Sequence, residues 1–234
     1  MPSADIPFLM PDGRTLFVLT PQGIQWWDIT NPGRPTRADS SALPLANSTG
    51  SVVGTNSVMA AAAHDPDFAS CDCRDLRLFG VSAGHVTASA TVSDSTGDQL
   101  AISNDGRLLA AAGPGDNGLT LWTIGTPRHP VLDVSLATVP ALIGINIGDD
   151  DERLVDWNDS YLQLWDIMNP ADPELLASVS FSPKPDTQFS SNIGGAIFAA
   201  SGSELAVALD STLLLVDTDP EGYSFILLPG VFRW

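Results

Sequence analysis

Short apolar segments, each bounded by turn-forming residues, recur from one end of the chain to the other. They are about five to seven residues long, as in residues 14–20, 107–113 and 204–210. Gly, Pro, Asp, Asn or Ser stands at their ends. The alanine-rich run at 57–64 is too short for a helix and is bounded in the same way. The pattern predicts an all-β protein made of many short strands, with almost no helix.

A longer pattern repeats along the chain. Three segments align without gaps: GIQWWDITNPGRP at 23–35, GLTLWTIGTPRHP at 118–130 and YLQLWDIMNPADP at 161–173. Each contains two alternating apolar positions, a Trp, a polar residue, an Ile and then Pro-x-x-Pro. Weaker copies occur at 75–85 and 212–222. Internal repetition of this kind is typical of proteins in which each repeat is one small group of strands.

The positions equivalent to the repeated Trp are separated by 52, 43, 43 and 51 residues. These positions are Trp27, Phe79, Trp122, Trp165 and Val216. The two spacings of 43 fall within the roughly 40–45 residues of a four-stranded propeller blade. Upstream, an Asp-Gly turn joins two apolar strands at 104–107 and again at 11–14, and 148–153 takes the same place in a later copy. Asp-Gly between such strands is a strong hairpin signal.

These features resemble the WD-repeat family. The resemblance rests on the PDGR and NDGR hairpins, the tight turns at 116–118 and 158–160, and the Trp-Asp pairs at 27–28 and 165–166. The form WDIxNPxxP resembles WD-repeat regions of large bacterial signalling proteins. The resemblance covers nearly the whole chain and implies a β-propeller. Members of the family often carry a Gly-His pair at the entry to each repeat, where it would anchor a hydrogen-bonded tetrad. In this chain the Gly-His pair, Gly84-His85, instead follows the Trp-equivalent strand, so the resemblance does not imply the tetrad.

The repeats predict a single domain over residues 1–234, an all-β propeller of about five four-stranded blades. The predicted blades cover about 6–43, 51–93, 99–136, 142–181 and 195–229. Radial propellers typically have four to eight blades, and WD-repeat proteins usually have seven. Five blades could close a ring alone, or they could form an incomplete ring within a larger protein.

The net charge narrows the choice of partners. The chain has 10 Lys and Arg against 28 Asp and Glu, which gives a formal net charge of −18. Such a chain repels phosphates, so we expect neither nucleic acid nor an anionic membrane as a partner. It favours a protein partner with a basic surface.

The expected location is the cytoplasm. The N-terminal segment has no basic region followed by an apolar run, and no apolar run reaches the roughly 18 residues of a spanning helix. Cys71 and Cys73 are one residue apart, and a disulfide between them would close a strained ring. A reduced, intracellular protein is therefore expected.

Two segments contain residues associated with catalysis or metal binding. Residues 80–85 match G-x-S-x-G followed by His. A nucleophile elbow needs a helix after the Ser, but the residues that follow are β-branched and predict a strand. The loop 64–73 contains His64, Cys71 and Cys73. Its two cysteines have a C-x-C spacing, whereas zinc sites favour two to four residues between cysteines. We expect neither a hydrolase nor a metal site in these segments.

The sequence also lacks the residue patterns of a calcium loop, a P-loop and a propeller glycosidase. The acidic run 149–152 lacks the spacing of a calcium loop and predicts a solvated hairpin turn. Lys184 has no glycine loop before it, which excludes a P-loop. Propeller glycosidases need two carboxylates beside the channel. The five predicted innermost strands contain no Asp or Glu: 6–10, 51–54, 100–103, 142–147 and 196–200.

We therefore expect a non-catalytic interaction scaffold or sensor, with no cofactor and no bound metal. The alternative is a propeller enzyme, or a propeller that binds a small ligand or a carbohydrate. That alternative needs clustered polar groups at the mouth of the channel, which the predicted inner strands do not supply.

The candidate interface is the face that carries the longer loops. Loops between blades, and loops between the second and third strands, share this face: 64–75, 94–98, 113–118, 157–160 and 182–192. Phe68, Trp157 and Phe189 lie in or beside these loops and are the candidate anchors, since large aromatics carry much interface affinity. Each could instead plug the end of its own blade. The acidic residues expected to attract a basic partner are Asp65, Asp67, Asp98 and Asp116.

Overall fold

The structure is a computed structural model that describes most of the predicted strands and several turns. It describes residues 6–10, 12–20, 23–41, 52–55, 58–64, 74–82, 85–92, 99–112, 118–125, 129–136, 142–181, 193–199, 202–209, 212–218 and 224–229.

The described residues form five antiparallel sheets of four strands each, and they contain no helix. The first sheet contains β1 (Ile6–Leu9), β2 (Thr15–Thr20), β3 (Gly23–Asp28) and β4 (Thr36–Ser41). The second contains β5 (Val52–Gly54), β6 (Val58–His64), β7 (Arg74–Ser82) and β8 (His85–Val92). The third contains β9 (Gln99–Ile102), β10 (Leu108–Ala112), β11 (Leu119–Ile124) and β12 (Pro130–Leu136).

The last two sheets follow the same plan. The fourth contains β13 (Gly144–Ile147), β14 (Arg153–Trp157), β15 (Tyr161–Asp166) and β16 (Glu174–Ser180). The fifth contains β17 (Ile193–Phe198), β18 (Glu204–Leu209), β19 (Thr212–Asp217) and β20 (Ser224–Pro229). In every sheet the strands are neighbours in chain order. The alanine-rich run predicted as a strand is β6, so this prediction is confirmed.

The first strands of the sheets contact one another in chain order: β1 with β5, β5 with β9, β9 with β13, and β13 with β17. The first strand is therefore the innermost strand of each sheet, and the fourth is the outermost. This is the arrangement of propeller blades around a centre. The described part of the chain is an all-β propeller with five four-stranded blades, which confirms the predicted fold.

A tight turn joins the first and second strands of each well-described blade. Its third residue has a positive φ: Gly13 (64°), Gly106 (74°), Asp151 (60°) and Gly202 (71°). Glycine suits this position because it has no Cβ. In blades one and three the preceding Asp accepts a hydrogen bond from a backbone N–H two residues later, Asp12 from Arg14 and Asp105 from Arg107. The predicted Asp-Gly hairpins form for these reasons.

Strand register confirms the predicted equivalence of the Trp positions. In every blade the residue at this position pairs with the second residue after the hairpin turn: Leu16 with Trp27, Met59 with Phe79, Leu109 with Trp122, Leu154 with Trp165, and Leu205 with Val216. In the three Trp-containing blades, a β-bulge toward the outermost strand lies directly before the Trp. The five repeats therefore share one register between their second and third strands.

From the repeat, the Trp side chains at these positions are expected to be equivalent and mostly buried between blades, but their burial is not uniform. Trp165 is buried in a cluster between blades three and four, whereas Trp122 is half-buried against the cluster between blades two and three. Trp27 is also half-buried. Its face of blade one is the face that blades two to five pack against the preceding blade. In blade one this face is uncovered, since Leu9 on the same face is 54% exposed.

Candidate functional site

The innermost strands contain no ionisable side chain in the described structure. Their sequences are IPFL, VVG, QLAI, GINI and IGGAIF. Gln99 and Asn146 are the polar side chains among them, and Asn146 Oδ1 accepts a long hydrogen bond of 3.5 Å from the Phe198 N–H. General acid–base catalysis needs a positioned proton donor or acceptor, which these strands do not provide.

Six of the seven residues predicted to bind a partner lie outside the described residues. They are Phe68, Phe189, Asp65, Asp67, Asp98 and Asp116. Their loops connect strands at one end of the blades, because each loop either follows an outermost strand or joins a second strand to a third. Their role in binding therefore stays a prediction.

Trp157, the seventh, is the last residue of β14 and is only 9% exposed. Its ring lies over Gly144, where a Cβ would come within 2.1 Å of a ring carbon. The surrounding cluster joins blades four and five. This position matches the alternative reading, in which the ring plugs its own blade, and it leaves little of the ring for a partner.

The G-x-S-x-G segment does not have the surroundings of a nucleophile elbow. Ser82 ends β7, and His85 begins the next antiparallel strand, β8. A strand therefore follows where the motif requires a helix, which confirms the predicted strand-to-strand connection. Among the residues that the structure describes, no group of three His, Cys, Asp or Glu side chains is placed to hold a metal ion.

The acidic turn of blade four contacts the blade before it. The Asp151 carboxylate accepts hydrogen bonds from the backbone N–H groups of Asn104 and Asp105, in the equivalent turn of blade three. Burial raises the pKa of Asp151, although these two hydrogen bonds act in the opposite direction. Asp150 accepts a 2.9 Å hydrogen bond from Arg153. The predicted solvated turn is thus partly an inter-blade contact.

Replacing Asp151 with alanine should lower the free energy of unfolding by about 2 kcal/mol. The variant loses both hydrogen bonds to blade three but keeps a positive φ that alanine disfavours. Asp151→Gly loses the same hydrogen bonds yet suits the backbone, so it should cost about 1 kcal/mol less. Urea unfolding of the two variants measures the difference. Equal stability of Asp151→Ala and the unmodified chain would show that the contact is absent in solution.

A buried polar cluster lies between blades three and four. The Trp165 indole N–H donates a 2.9 Å hydrogen bond to Asp156 Oδ2, and Asp156 is fully buried. Burial raises the pKa of Asp156 to about 7, against the opposing effect of the Trp165 hydrogen bond. Gln163 pairs directly with Asp156 across the two strands. Asp156 Oδ1 and Gln163 Oε1 are both buried and have no hydrogen-bond partner among the described residues.

Sequence reasoning did not single out Asp156. The available signal was one acidic residue inside the otherwise apolar strand RLVDW. A buried carboxyl group with a raised pKa is characteristic of functional sites, but it also occurs in structural networks. Here its neighbours are the cross-strand Gln163 and the core residue Trp165, so the cluster is part of the packing between blades.

The chain is similar to solved structures of longer chains. A functionally unknown protein from Desulfotomaculum acetoxidans DSM 771 aligns with a TM-score of 0.72 and 13% identity, over 94% of this chain and 68% of that one. A chain in the crystal structure of the Mitotic Checkpoint Complex aligns with a TM-score of 0.65 and 15% identity, over 96% of this chain and 66% of that one. At these identities the similarity shows the fold alone.

The other comparisons found no relatives. No family model matches the chain, and no curated protein matches it. In the described part of the chain, no helix has the length and apolar character needed to cross a membrane.

Proposed function

We propose that this chain is a WD-repeat propeller of the bacterial signalling type that acts as a non-catalytic interaction scaffold or sensor in the cytoplasm. Its partner is a protein with a basic surface, or another domain of a larger protein. The loops at the ends of the blades carry the contacts, and the strands hold these loops in fixed positions.

The observation that supports this proposal best is the apolar character of the innermost strands. A propeller enzyme, or a propeller that binds a carbohydrate, needs polar side chains around the centre. The described inner strands contain two polar side chains, Gln99 and Asn146, and Asn146 already accepts a backbone hydrogen bond. Binding through the blade ends needs no such groups.

The charge distribution supports a basic partner. The chain has a formal net charge of −18, and the hairpin turns at one end of the blades expose Asp12, Asp105, Asp149 and Glu152. The predicted loop interface at the other end adds Asp65, Asp67, Asp98 and Asp116. Acidic surfaces of this kind speed encounter with a basic protein and lose much of their effect at high salt.

The test uses a double variant, Phe68→Ala/Phe189→Ala, in which the buried Trp157 is kept. Immobilised chain should capture its protein partner from a native lysate, and the variant should lose at least about 90% of this capture, because few residues carry most interface affinity. Raising the salt concentration should slow association of the unmodified chain. The matched control is Leu132→Ala/Leu175→Ala, which removes two exposed leucines from outermost strands.

Two outcomes would argue against the proposal. Equal capture by the folded double variant would remove the predicted loop anchors from the interface. Binding of a glycan, or turnover of a glycoside, that is lost in Gln99→Ala would favour a propeller that acts through its channel.

A further inference from the structure

Two buried oxygen atoms lie on neighbouring strands of blade four without a hydrogen-bond donor. Asp156 on β14 and Gln163 on β15 are direct cross-strand partners, so their side chains leave the same face of the sheet with Cβ atoms about 4.5–5.5 Å apart. Asp156 Oδ1 and Gln163 Oε1 are both buried, and neither has a partner among the described residues. A buried acceptor without a donor is destabilising, so two of them side by side require an explanation.

The described surroundings of this pair supply no side-chain donor to these two atoms. The face of blade three that packs against blade four carries apolar residues: Ala101, Ala110, Ala112, Leu119 and Leu121. Within blade four, Ile145 pairs with Asp156 on the other side and belongs to the same apolar cluster. The Trp165 indole N–H is bonded to the other carboxyl oxygen, Asp156 Oδ2. The missing hydrogen must therefore come from the pair itself.

The contact between these faces of blades three and four is called the seam below, and the charged groups around it lie toward its hairpin end. Strands β9, β10, β11 and β13 contain no charged residue. Asp151 binds the turn of blade three at the hairpin end. Tyr161 stands at the loop end, on the same face as Gln163. The remaining charged residues of the flanking strands are Asp133, which binds Thr123, and the cross-strand row Arg153, Asp166 and Glu174.

We propose that Asp156 and Gln163 share one proton, which Asp156 Oδ1 donates to Gln163 Oε1, and that loss of this proton to solvent opens the seam at its loop end. One proton gives both unpartnered oxygens a hydrogen bond, and Asp156 Oδ2 still accepts from Trp165. Burial raises the pKa of Asp156 to about 7, which agrees with a protonated carboxyl group in the folded chain.

Loss of the proton leaves a carboxylate beside a carbonyl oxygen, against an apolar blade. Burial of such a charge is strongly unfavourable, and contact with water relieves it. At the hairpin end, the hydrogen bonds from the N–H groups of Asn104 and Asp105 to Asp151 still join the two blades. The seam therefore opens from the loop end.

The opening depends on pH in a defined way. When the seam is open, Asp156 is in water and its pKa returns to about 4. The open seam therefore gains about tenfold over the closed one for each pH unit between about 4 and 7, and gains no more above 7. The turn 158–160 follows Asp156 by two residues, so the opening reaches the loop face. An effect on a partner rests on the proposed function, whereas the proton and the opening do not.

The shared proton is tested through the indole N–H of Trp165, whose NMR resonance reports the charge of the carboxyl group that it contacts. This resonance should titrate with a midpoint of about 7. Gln163→Met should lower the midpoint by about one pH unit, because the protonated form loses its acceptor. The matched control is Gln25→Met, which replaces the equivalent glutamine of blade one, where the cross-strand partner is Val18. It should leave the midpoint unchanged.

Two results would overturn the shared proton. A midpoint that rises in Gln163→Met would mean that the glutamine amide N–H₂ donates to an ionised Asp156. An unchanged midpoint would mean that the two oxygens are satisfied separately.

The opening is tested with thiols placed in two inter-blade contacts, in a chain whose Cys71 and Cys73 are replaced by Ser. Ala110→Cys lies in the seam, and Ala60→Cys lies between blades two and three; both alanines are fully buried. The labelling rate, divided by that of a free thiol at the same pH, should rise about tenfold per pH unit from pH 5 to pH 7 for Ala110→Cys alone. Adding Asp156→Asn should abolish this rise.

The opening at the loop end would be contradicted in either of two ways. An equal rise for Ala60→Cys would mean that the chain unfolds as a whole. A constant ratio for Ala110→Cys would mean that the seam stays closed after the proton leaves.

Discussion

Trp165→Ala should lower the free energy of unfolding by about 3–5 kcal/mol, the usual range for a buried Trp replaced by Ala. Trp165 is 7% exposed and lies in the cluster that joins blades three and four. The substitution empties a large volume between two blades. It also removes the indole N–H that donates to the fully buried Asp156, and an unpartnered buried carboxyl group adds to the cost.

Trp27→Ala provides the matched comparison. Trp27 occupies the equivalent position in blade one but is half-buried, because the face on which it lies is uncovered. Its replacement should cost clearly less than that of Trp165, since less apolar surface is lost from the interior. Chemical denaturation of both variants gives the two values. A loss below about 1 kcal/mol for Trp165→Ala would mean that blades three and four do not pack in solution as they do here.

Asp156→Asn should stabilise the protein at pH 8 and leave it nearly unchanged at pH 4. The pKa of Asp156 is raised to about 7 by burial, so the folded state holds a proton that the unfolded state releases near pH 4. The contribution of this group to stability is complete below pH 4 and is lost as the pH rises to about 7. The total loss is about 4 kcal/mol, at about 1.4 kcal/mol per pH unit.

Asparagine is neutral at every pH in this range and nearly the same shape as aspartic acid. Its amide oxygen can accept from Trp165, and its amide N–H₂ can donate to Gln163 Oε1, which has no partner in the described structure. Urea unfolding between pH 4 and pH 8 compares the slopes of the two proteins. Asp172→Asn, at an exposed turn position, is the control. Parallel pH profiles for Asp156→Asn and the unmodified chain would show that folding does not raise the pKa of Asp156.

The repeats made much of the fold predictable from sequence. The spacing of the Trp positions indicated how the second and third strands of each blade pair, because each Trp position pairs with the second residue after a hairpin turn. The Asp-Gly turns at Asp12 and Asp105 were visible because glycine alone tolerates a positive φ without strain. The same turn in blade four has Asp151 at this position, so it was recognised only by its alignment with the other copies.

The direction of side chains near strand ends was harder to predict. Trp157 stands next to a turn, and its placement in the core rather than in the loop depends on a single residue of register. Asp156 precedes it and points to the opposite face, where the sequence gives no sign that a carboxyl group is buried. Contacts between blades, such as that from Asp151 to Asn104, join residues far apart in the chain and leave no local pattern.

Radical footprinting of the isolated chain tests most directly whether its five blades form an open arc. Hydroxyl radicals label side chains according to their exposure, so residues of the same type are compared. Ile197 should be labelled several-fold faster than Ile147, and Leu9 several-fold faster than Leu154, because the first residue of each pair lies on an uncovered face. Equal protection within both pairs would mean that blade five packs on blade one, and that the ring closes with five blades.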